Sequence, residues 1–248
     1  MEILNIKNLK KVYGKKVIST ALKDISFSIE DGEFVGIMGP SGSGKTTLLN
    51  LISTIDKPTA GSITLKGKNI LKLKGDDLAL FRRKELGFVF QDFNLLNTLT
   101  IGENIILPLT LDNVDINEQE RRLEKVSKIL RIKELLNKRT YEVSGGQAQR
   151  TAIGRALINN PTLVLADEPT GNLDSASAKD VMEHLEKINK EEKVTTMMVT
   201  HDPLAASYCN RILFIKDGQI YNEIYKGDNR VQFYQEIIDV LSLLGGTK

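Results

Sequence analysis

The residues best suited to chemistry in this 248-residue chain lie at Gly39-Pro40-Ser41-Gly42-Ser43-Gly44-Lys45-Thr46. They match the pattern GxxxxGK[ST] in full. The apolar run Phe34-Val35-Gly36-Ile37-Met38 precedes them, and helical spacing (Leu48, Leu49, Ile52) follows. That strand–loop–helix setting is the one the pattern requires. Its glycines let the backbone wrap a phosphate, with N–H groups pointing inward at the positive end of the helix. Lys45 is expected to bridge the terminal phosphates of a nucleotide, and the Thr46 hydroxyl to ligate Mg²⁺. A Gly-rich turn with an incidental Lys is the competing reading. From average composition, a chance match in a chain this long is roughly one in a hundred, before the context is counted.

Two further segments point toward the same place. Leu163-Val164-Leu165-Ala166-Asp167-Glu168 reads as a buried strand ending in adjacent carboxylates. Ligands of α/β sheets lie beyond the carboxyl ends of the strands, so both acids are expected in the phosphate region. One can hold a metal's water shell while its neighbour polarises an attacking water. A second strand, Thr196-Met197-Met198-Val199-Thr200, delivers His201-Asp202 to the same edge. Alone, His201 would read as a solvated surface residue; beside a phosphate loop it becomes a site candidate. Ser144-Gly145-Gly146-Gln147 opens another helix and offers a second anion cradle. One nucleotide needs only one cradle per chain, and an N-cap followed by a tight glycine contact explains this segment equally well.

The elements that must position these groups alternate strand and helix, which implies a mostly parallel sheet. Residues 2–6 and 25–29 alternate as strands, 62–65 and 67–70 read as a small hairpin, and Lys216-Asp217-Gly218-Gln219 reads as a turn after a strand over 211–215. The middle of the chain is charged, with Leu123, Val126 and Leu130 on one helical stripe and Asn117 with Glu120 as a candidate capping box. Residues from about 92 to 160 are therefore expected to form a helical insert. The Lys-rich stretches Lys7 to Lys16 and Lys66 to Lys74 are broken by apolar residues and read as solvated strand edges. With 34 Lys+Arg against 32 Asp+Glu, the net charge of +2 argues against a nucleic-acid coat. The single Cys209 excludes a disulfide framework and a Cys-rich zinc site, and fits a reducing cytoplasm. Neither a signal peptide nor the roughly 18 apolar residues of a membrane span are legible, so membrane contact is expected only through a partner.

The order of these segments carries a resemblance. With Gly39 to Thr46, Gln91, Val143-Ser144-Gly145-Gly146-Gln147, Asp167-Glu168, Asn172-Leu173-Asp174 and His201, the chain resembles the ATP-binding subunits of ABC transporters over essentially its whole length. The resemblance implies an α/β P-loop NTPase (RecA-like) core at about 1–91 and 161–226, with an antiparallel β subdomain. It also implies an ABC-type helical subdomain at about 92–160 and a carboxy-terminal extension at 227–248. ATP and Mg²⁺ would be the ligands, with Thr47 beside Thr46 in the nucleotide site and Tyr13 stacked on adenine. Gln91 and Asp167 would join Thr46 at the metal. Glu168 would be the general base, and His201 would contact the γ-phosphate. Two copies would bind ATP head to tail, with Ser144 to Gln147 of one capping the nucleotide of the other and Asp174 across the interface. A separate multi-span permease would hold the dimer at the cytoplasmic face of the membrane.

Two departures and several finer cues accompany the match. Val143 stands where the family usually has Leu, and Pro169-Thr170-Gly171-Asn172-Leu173-Asp174 differs from the common Ser-Ala-Leu-Asp ending. That variant, with Phe90-Gln91-Asp92-Phe93-Asn94-Leu95-Leu96, is similar to the MacB-like branch. The run Thr200 to Cys209, Phe214 to Gly218 and the stretch from Gly227 to Gly246 resemble bacitracin- and lantibiotic-resistance ATPases of Gram-positive bacteria. The implied function is an ATPase that powers a permease in antimicrobial peptide resistance. A regulatory or mechanical ATPase of the same fold, working with a permease-like partner that moves nothing, is the alternative. Phe93, Leu95 and Leu96 are expected to present an apolar patch to the permease.

Overall fold

The computed structural model describes residues 1–14 and 17–245. Lys15 and Lys16 of the first Lys-rich stretch, and residues 246–248 of the extension, lie outside the described residues. The chain opens with two long antiparallel strands, β1 (Glu2–Tyr13) and β2 (Ser19–Glu30), then enters β3 (Phe34–Met38) and α1 (Lys45–Ile52). β4 (Ala60–Leu65) and β5 (Lys68–Asn69) form the small hairpin, and α2 (Gly75–Glu85) leads into β6 (Leu86–Val89). Three helices follow: α3 (Ile101–Leu111), α4 (Ile116–Ile129) and α5 (Gly145–Leu157). Strand–helix alternation then resumes with β7 (Leu163–Asp167), α6 (Ser175–Glu192), β8 (Thr196–Val199) and α7 (Pro203–Ala206). The chain closes with β9 (Arg211–Lys216), β10 (Gln219–Tyr225) and α8 (Arg230–Gly245).

Among the described residues one ten-stranded sheet runs in the order β5-β4-β1-β2-β10-β9-β3-β8-β7-β6. The five strands from β9 to β6 are parallel, while β5, β4, β1 and β2 pair antiparallel. Apolar runs such as Phe34–Met38 are buried along their whole length because both sheet faces are covered. Side chains still alternate. Val35, Ile37, Leu165 and Met197 meet α1 and the antiparallel strands, whereas Phe34, Met38, Val164 and Met198 meet the helices of the other face. Ile101, Ile105 and Leu109 of α3, with Val126 and Leu130, join that second cluster, so the inserted helices share a core with the sheet. Asp217 (φ 50°) and Gly218 (φ 75°) make the β9–β10 turn, where two left-handed residues match the twist of the strands.

Several local expectations are corrected. Asp115, not Asn117, caps α4: its Oδ1 accepts the Asn117 N–H at 2.9 Å. A carboxylate two residues upstream reaches that N–H without a full capping box. Lys11 is not solvated; its ammonium is buried at 2.7 Å from Asp56. Phe93 and Leu95 are half-buried, and only Leu96 of the expected apolar patch is well exposed, at 47 %. They lie in a loop ahead of α3 rather than on a helix, because Thr100 supplies the α3 cap and starts the helix at Ile101.

Candidate functional site

Gly39 leaves β3 at φ 149°, and a Cβ there would lie 2.0 Å from the Ile215 carbonyl oxygen. Only glycine permits this turn, which sends the loop back to the start of α1. Lys45, the first residue of α1, donates from Nζ to the carbonyls of Gly39 (2.8 Å) and Pro40 (2.9 Å). Burial pulls its ammonium below the ordinary value, while the charges of Glu168 and Asp167 act to raise it. The same two carboxylates therefore sit within electrostatic reach of the loop lysine. Ser43 Oγ is buried with no hydrogen-bond partner, as a loop built to receive a polar ligand would leave it.

β7 and β8 are adjacent and parallel, with Asp167 opposite Val199. This register brings the chain beyond each strand to one sheet edge. Glu168 takes a left-handed conformation (φ 47°), strain of a kind concentrated at functional sites. His201 Nδ1 lies 2.9 Å from Glu168 Oε1, and the His201 N–H donates to Oε2 at 3.3 Å. A carboxylate only accepts, so Nδ1 is the ring nitrogen placed to donate to Glu168, and Nε2 is directed to other partners. The imidazole is 74 % exposed and Glu168 only 17 %, so the acid is sheltered and the His stands toward solvent. Burial, then the neighbouring Glu168 charge, hold the Asp167 carboxyl above its usual range against the pull of Lys45.

Gln91 follows β6 on the same edge. Its Nε2 donates to Asn172 Oδ1 at 3.1 Å, while Asn172 Nδ2 donates to Asp92 Oδ1 at 2.6 Å. Tyr13 lies at the edge of β1, its hydroxyl donating to Asp56 at 2.7 Å and its ring 4.6 Å from the Lys11 ammonium. Ser144 and Gln147 form a reciprocal capping box at the start of α5 (3.3 and 2.9 Å). A Cβ on Gly146 would come 3.1 Å from Ser177 of α6. The segment thus has both features of the cap-and-contact reading, with Ser144 and Gly145 exposed. Asp174 caps α6, accepting from the Ala176 and Ser177 N–H groups at 3.0 Å; its bonds to Ser177 hold its carboxyl below the usual range.

The fold thus gathers Lys45, Asp167, Glu168 and His201, and sets Gln91 against the segment that follows Glu168. A phosphate loop, a carboxylate pair and a helix-opening Ser-Gly-Gly-Gln within one mixed sheet decide the comparison with known proteins. The model of the ABC transporter family matches residues 22–171. The chain belongs to the ABC transporter family. Within it, this is an ATP-binding subunit and an ATPase. It is 62 % identical over 244 residues to the ABC transporter ATP-binding protein YxdL of Bacillus subtilis (strain 168), covering 98 % of this chain and 95 % of that one. It is 48 % identical over 250 residues to the bacitracin export ATP-binding protein BceA of Halalkalibacterium halodurans, covering 100 % and 99 %. Among solved structures it resembles the dimeric post-hydrolysis state of the ATP-binding cassette MJ0796 bound to ADP and Pi. That likeness has TM-score 0.81 and 41 % identity, over 91 % of this chain and 100 % of that one. MJ0796 is a protein of Methanocaldococcus jannaschii.

Sequence reasoning missed one residue of this ABC cassette, Gln149, and one contact, that of Asn172. Asn172 bridges Gln91 and Asp92, and no pattern of spacing announces a contact across 80 residues. Gln149 is fully buried in α5 and bonds the carbonyls of Phe90 and Pro169. Its one signal was a Gln on a helix face otherwise occupied by Ala152, Ile153 and Ala156.

Proposed function

We propose that this ATPase binds MgATP at Gly39, Pro40, Ser41, Gly42, Ser43, Gly44, Lys45, Thr46 and Thr47, with adenine against Tyr13. A second copy completes the site. Mg²⁺ takes oxygen ligands, and the Thr46 hydroxyl, Gln91 amide and Asp167 carboxylate are the oxygen donors that would hold it. When bound it neutralises charge on the transferred phosphoryl group. Glu168 accepts a proton from the attacking water as the bond between the γ-phosphorus and the bridging oxygen breaks, releasing ADP and phosphate. His201, oriented by Glu168, donates to the γ-phosphate. Ser144 to Gln147 of one copy cap the nucleotide of the other, and Asp174 lies across the interface. The exposed Ser144-Gly145 turn supports this pairing, as does the dimeric state described for MJ0796.

The observation that carries the reading is the Glu168–His201 pair, 2.9 Å apart on the edge whose carboxylates act on Lys45. The dimer would work at the cytoplasmic face of the membrane, docked on a multi-span permease through the Asp92 to Asn104 segment; no helix among the described residues is long and apolar enough to cross a membrane itself. The likeness to a bacitracin export protein supports a role in resistance to peptide antibiotics that attack the cell envelope. Deleting the gene in its host is expected to sensitise the cells to bacitracin or lantibiotics, and a Glu168→Gln allele is expected to fail to restore resistance. Unchanged susceptibility in both strains, with the permease expressed, overturns the resistance role.

A further inference from the structure

A hollow of 310 Å³ opens at the end of the parallel strands opposite the phosphate loop. Three of the segments that line it lead into those strands: Asp31 ahead of β3, Pro161 and Thr162 ahead of β7, and Val194 and Thr195 ahead of β8. At their other ends the same strands lead to Gly39, Glu168 and His201. The length of a strand, about 15 Å, therefore separates the hollow from the nucleotide site. Val126 and Ile129 of α4, Leu157 of α5, Ile188 of α6 and Val194 give it an apolar lining. Whatever fills it touches the helical insert and the sheet core at once. Its volume lies at the lower end of the range for small-molecule sites.

The charges around that lining are unequal. Lys125 is spent on Glu192, 2.5 Å away, and the Asp31 carboxylate accepts from the Thr195 hydroxyl at 3.5 Å. Lys66, in the β4–β5 turn, and Lys193, at the end of α6, also line the hollow. Among the described residues neither has a carboxylate within 4.0 Å. A smaller hollow of 140 Å³ adjoins at Lys125, Val126 and Asn160, and there Arg121 and Arg122 share one carboxylate, Glu118 (2.7 and 2.6 Å). Cations thus outnumber carboxylates along the rim. A protein partner needs a far larger surface than this. A nucleotide would set its sugar and phosphates against the apolar side chains, at a cost in lost hydration. We propose that the hollow binds a monoanionic amphiphile, a carboxylate or sulfonate on an apolar body. Lys66 and Lys193 receive the anionic head, and Val126, Ile129, Leu157, Ile188 and Val194 take the body. The occupant bridges α4 and α5 to α6 and stiffens the joint between insert and core.

Octanoate, octanol and octyltrimethylammonium are suitable probes, since they share a chain and differ in head charge. Methyl NMR of the full chain is expected to show octanoate shifts confined to Val126, Ile129, Leu157, Ile188 and Val194, saturating with a Kd of about 1 mM. Octanol is expected to bind about tenfold more weakly, for want of the charge-assisted contact, and the ammonium more weakly still. The double variant Lys66→Gln, Lys193→Gln is expected to lose that tenfold preference while binding octanol as the parent does. Ile129→Trp, which sets an indole into the hollow from a half-buried position, is expected to abolish binding of both and to leave ATP affinity unchanged. Shifts scattered over the surface, equal binding of the three probes, or an unaltered octanoate Kd in the lysine double variant overturns the proposal. Shifts of the same methyl groups that follow protein concentration without any probe mean that a second copy covers the hollow, and overturn it too. Should Ile129→Trp fail to fold, the lysine pair decides, because both side chains are exposed.

Discussion

At the scale of single residues, the site is a contest between charges that the fold forces together. Lys45 is partly desolvated and bonded to its own loop, with two carboxylates near enough to act on it. Removing the ammonium in Lys45→Ala deletes a charge-assisted contact worth about 1.5–3 kcal/mol, or roughly 10- to 150-fold in affinity. Fluorescent-nucleotide titration is expected to show that loss, together with loss of turnover. Unchanged affinity would relocate the site. Glu168 differs, because as the proposed base it would act through its charge, and Gln keeps its shape while removing that charge. Glu168→Gln is expected to bind ATP while hydrolysis falls about 10²- to 10⁴-fold. Gel filtration with MgATP is expected to show a persistent dimer, which a further Ser144→Arg change disperses. A species that stays monomeric at saturating ATP contradicts the shared site.

At the scale of elements, burial divides residues that look equivalent in sequence. Phe93, Leu95 and Leu96 form one apolar cluster on paper. The loop turns Phe93 toward Gly145, 3.7 Å from the position of its missing Cβ, and leaves Leu96 facing outward. Leu96→Glu is therefore expected to leave folding and ATP binding intact and to abolish stimulation of the ATPase by the permease. Leu95→Glu is expected to lower Tm, since it carries a charge into a half-buried position. Equal permease stimulation in Leu96→Glu and the parent would place the docking surface elsewhere. The α4 cap follows the same logic, because several residues could cap that helix and only backbone geometry selects Asp115.

At the scale of the whole molecule, the ten-stranded sheet has a narrow seam. β2 and β10 pair through Gln219 and Asp24, with a Lys23 N–H to Gly218 carbonyl bond of 2.8 Å beside them. Arg211 reinforces this seam from β9. Its buried guanidinium reaches Glu33 (2.7 Å), Glu223 (2.6 Å) and the Ser28 carbonyl (2.6 Å), which belong to both halves of the sheet. Arg211 is itself buried and Glu33 half-buried, so Arg211→Met strips a largely desolvated carboxylate of its cation and is expected to cost about 3 kcal/mol. Thermal unfolding is expected to show Tm lowered by roughly 6–12 °C at this chain length. A change below about 1 kcal/mol would mean that the two halves hold together by packing alone.

What the sequence determined by itself was everything set by local order. The phosphate loop is legible because strand, glycines, Lys45 and helix are contiguous. The Asp167-Glu168 pair is legible because a strand's direction sends its end to one sheet edge. Continuous apolar runs announced buried parallel strands, and the family resemblance followed from motif order alone. Tertiary structure decided what depends on neighbours distant in sequence. It put the His201 ring on Glu168, paired Lys11 with Asp56, buried half of the apolar loop, and gave Gln149 two acceptors from segments 59 and 20 residues away. Periodicity reports which face a side chain occupies. Which donor meets which acceptor across that face is set only when the sheet register and the helix packing bring both within about 3 Å.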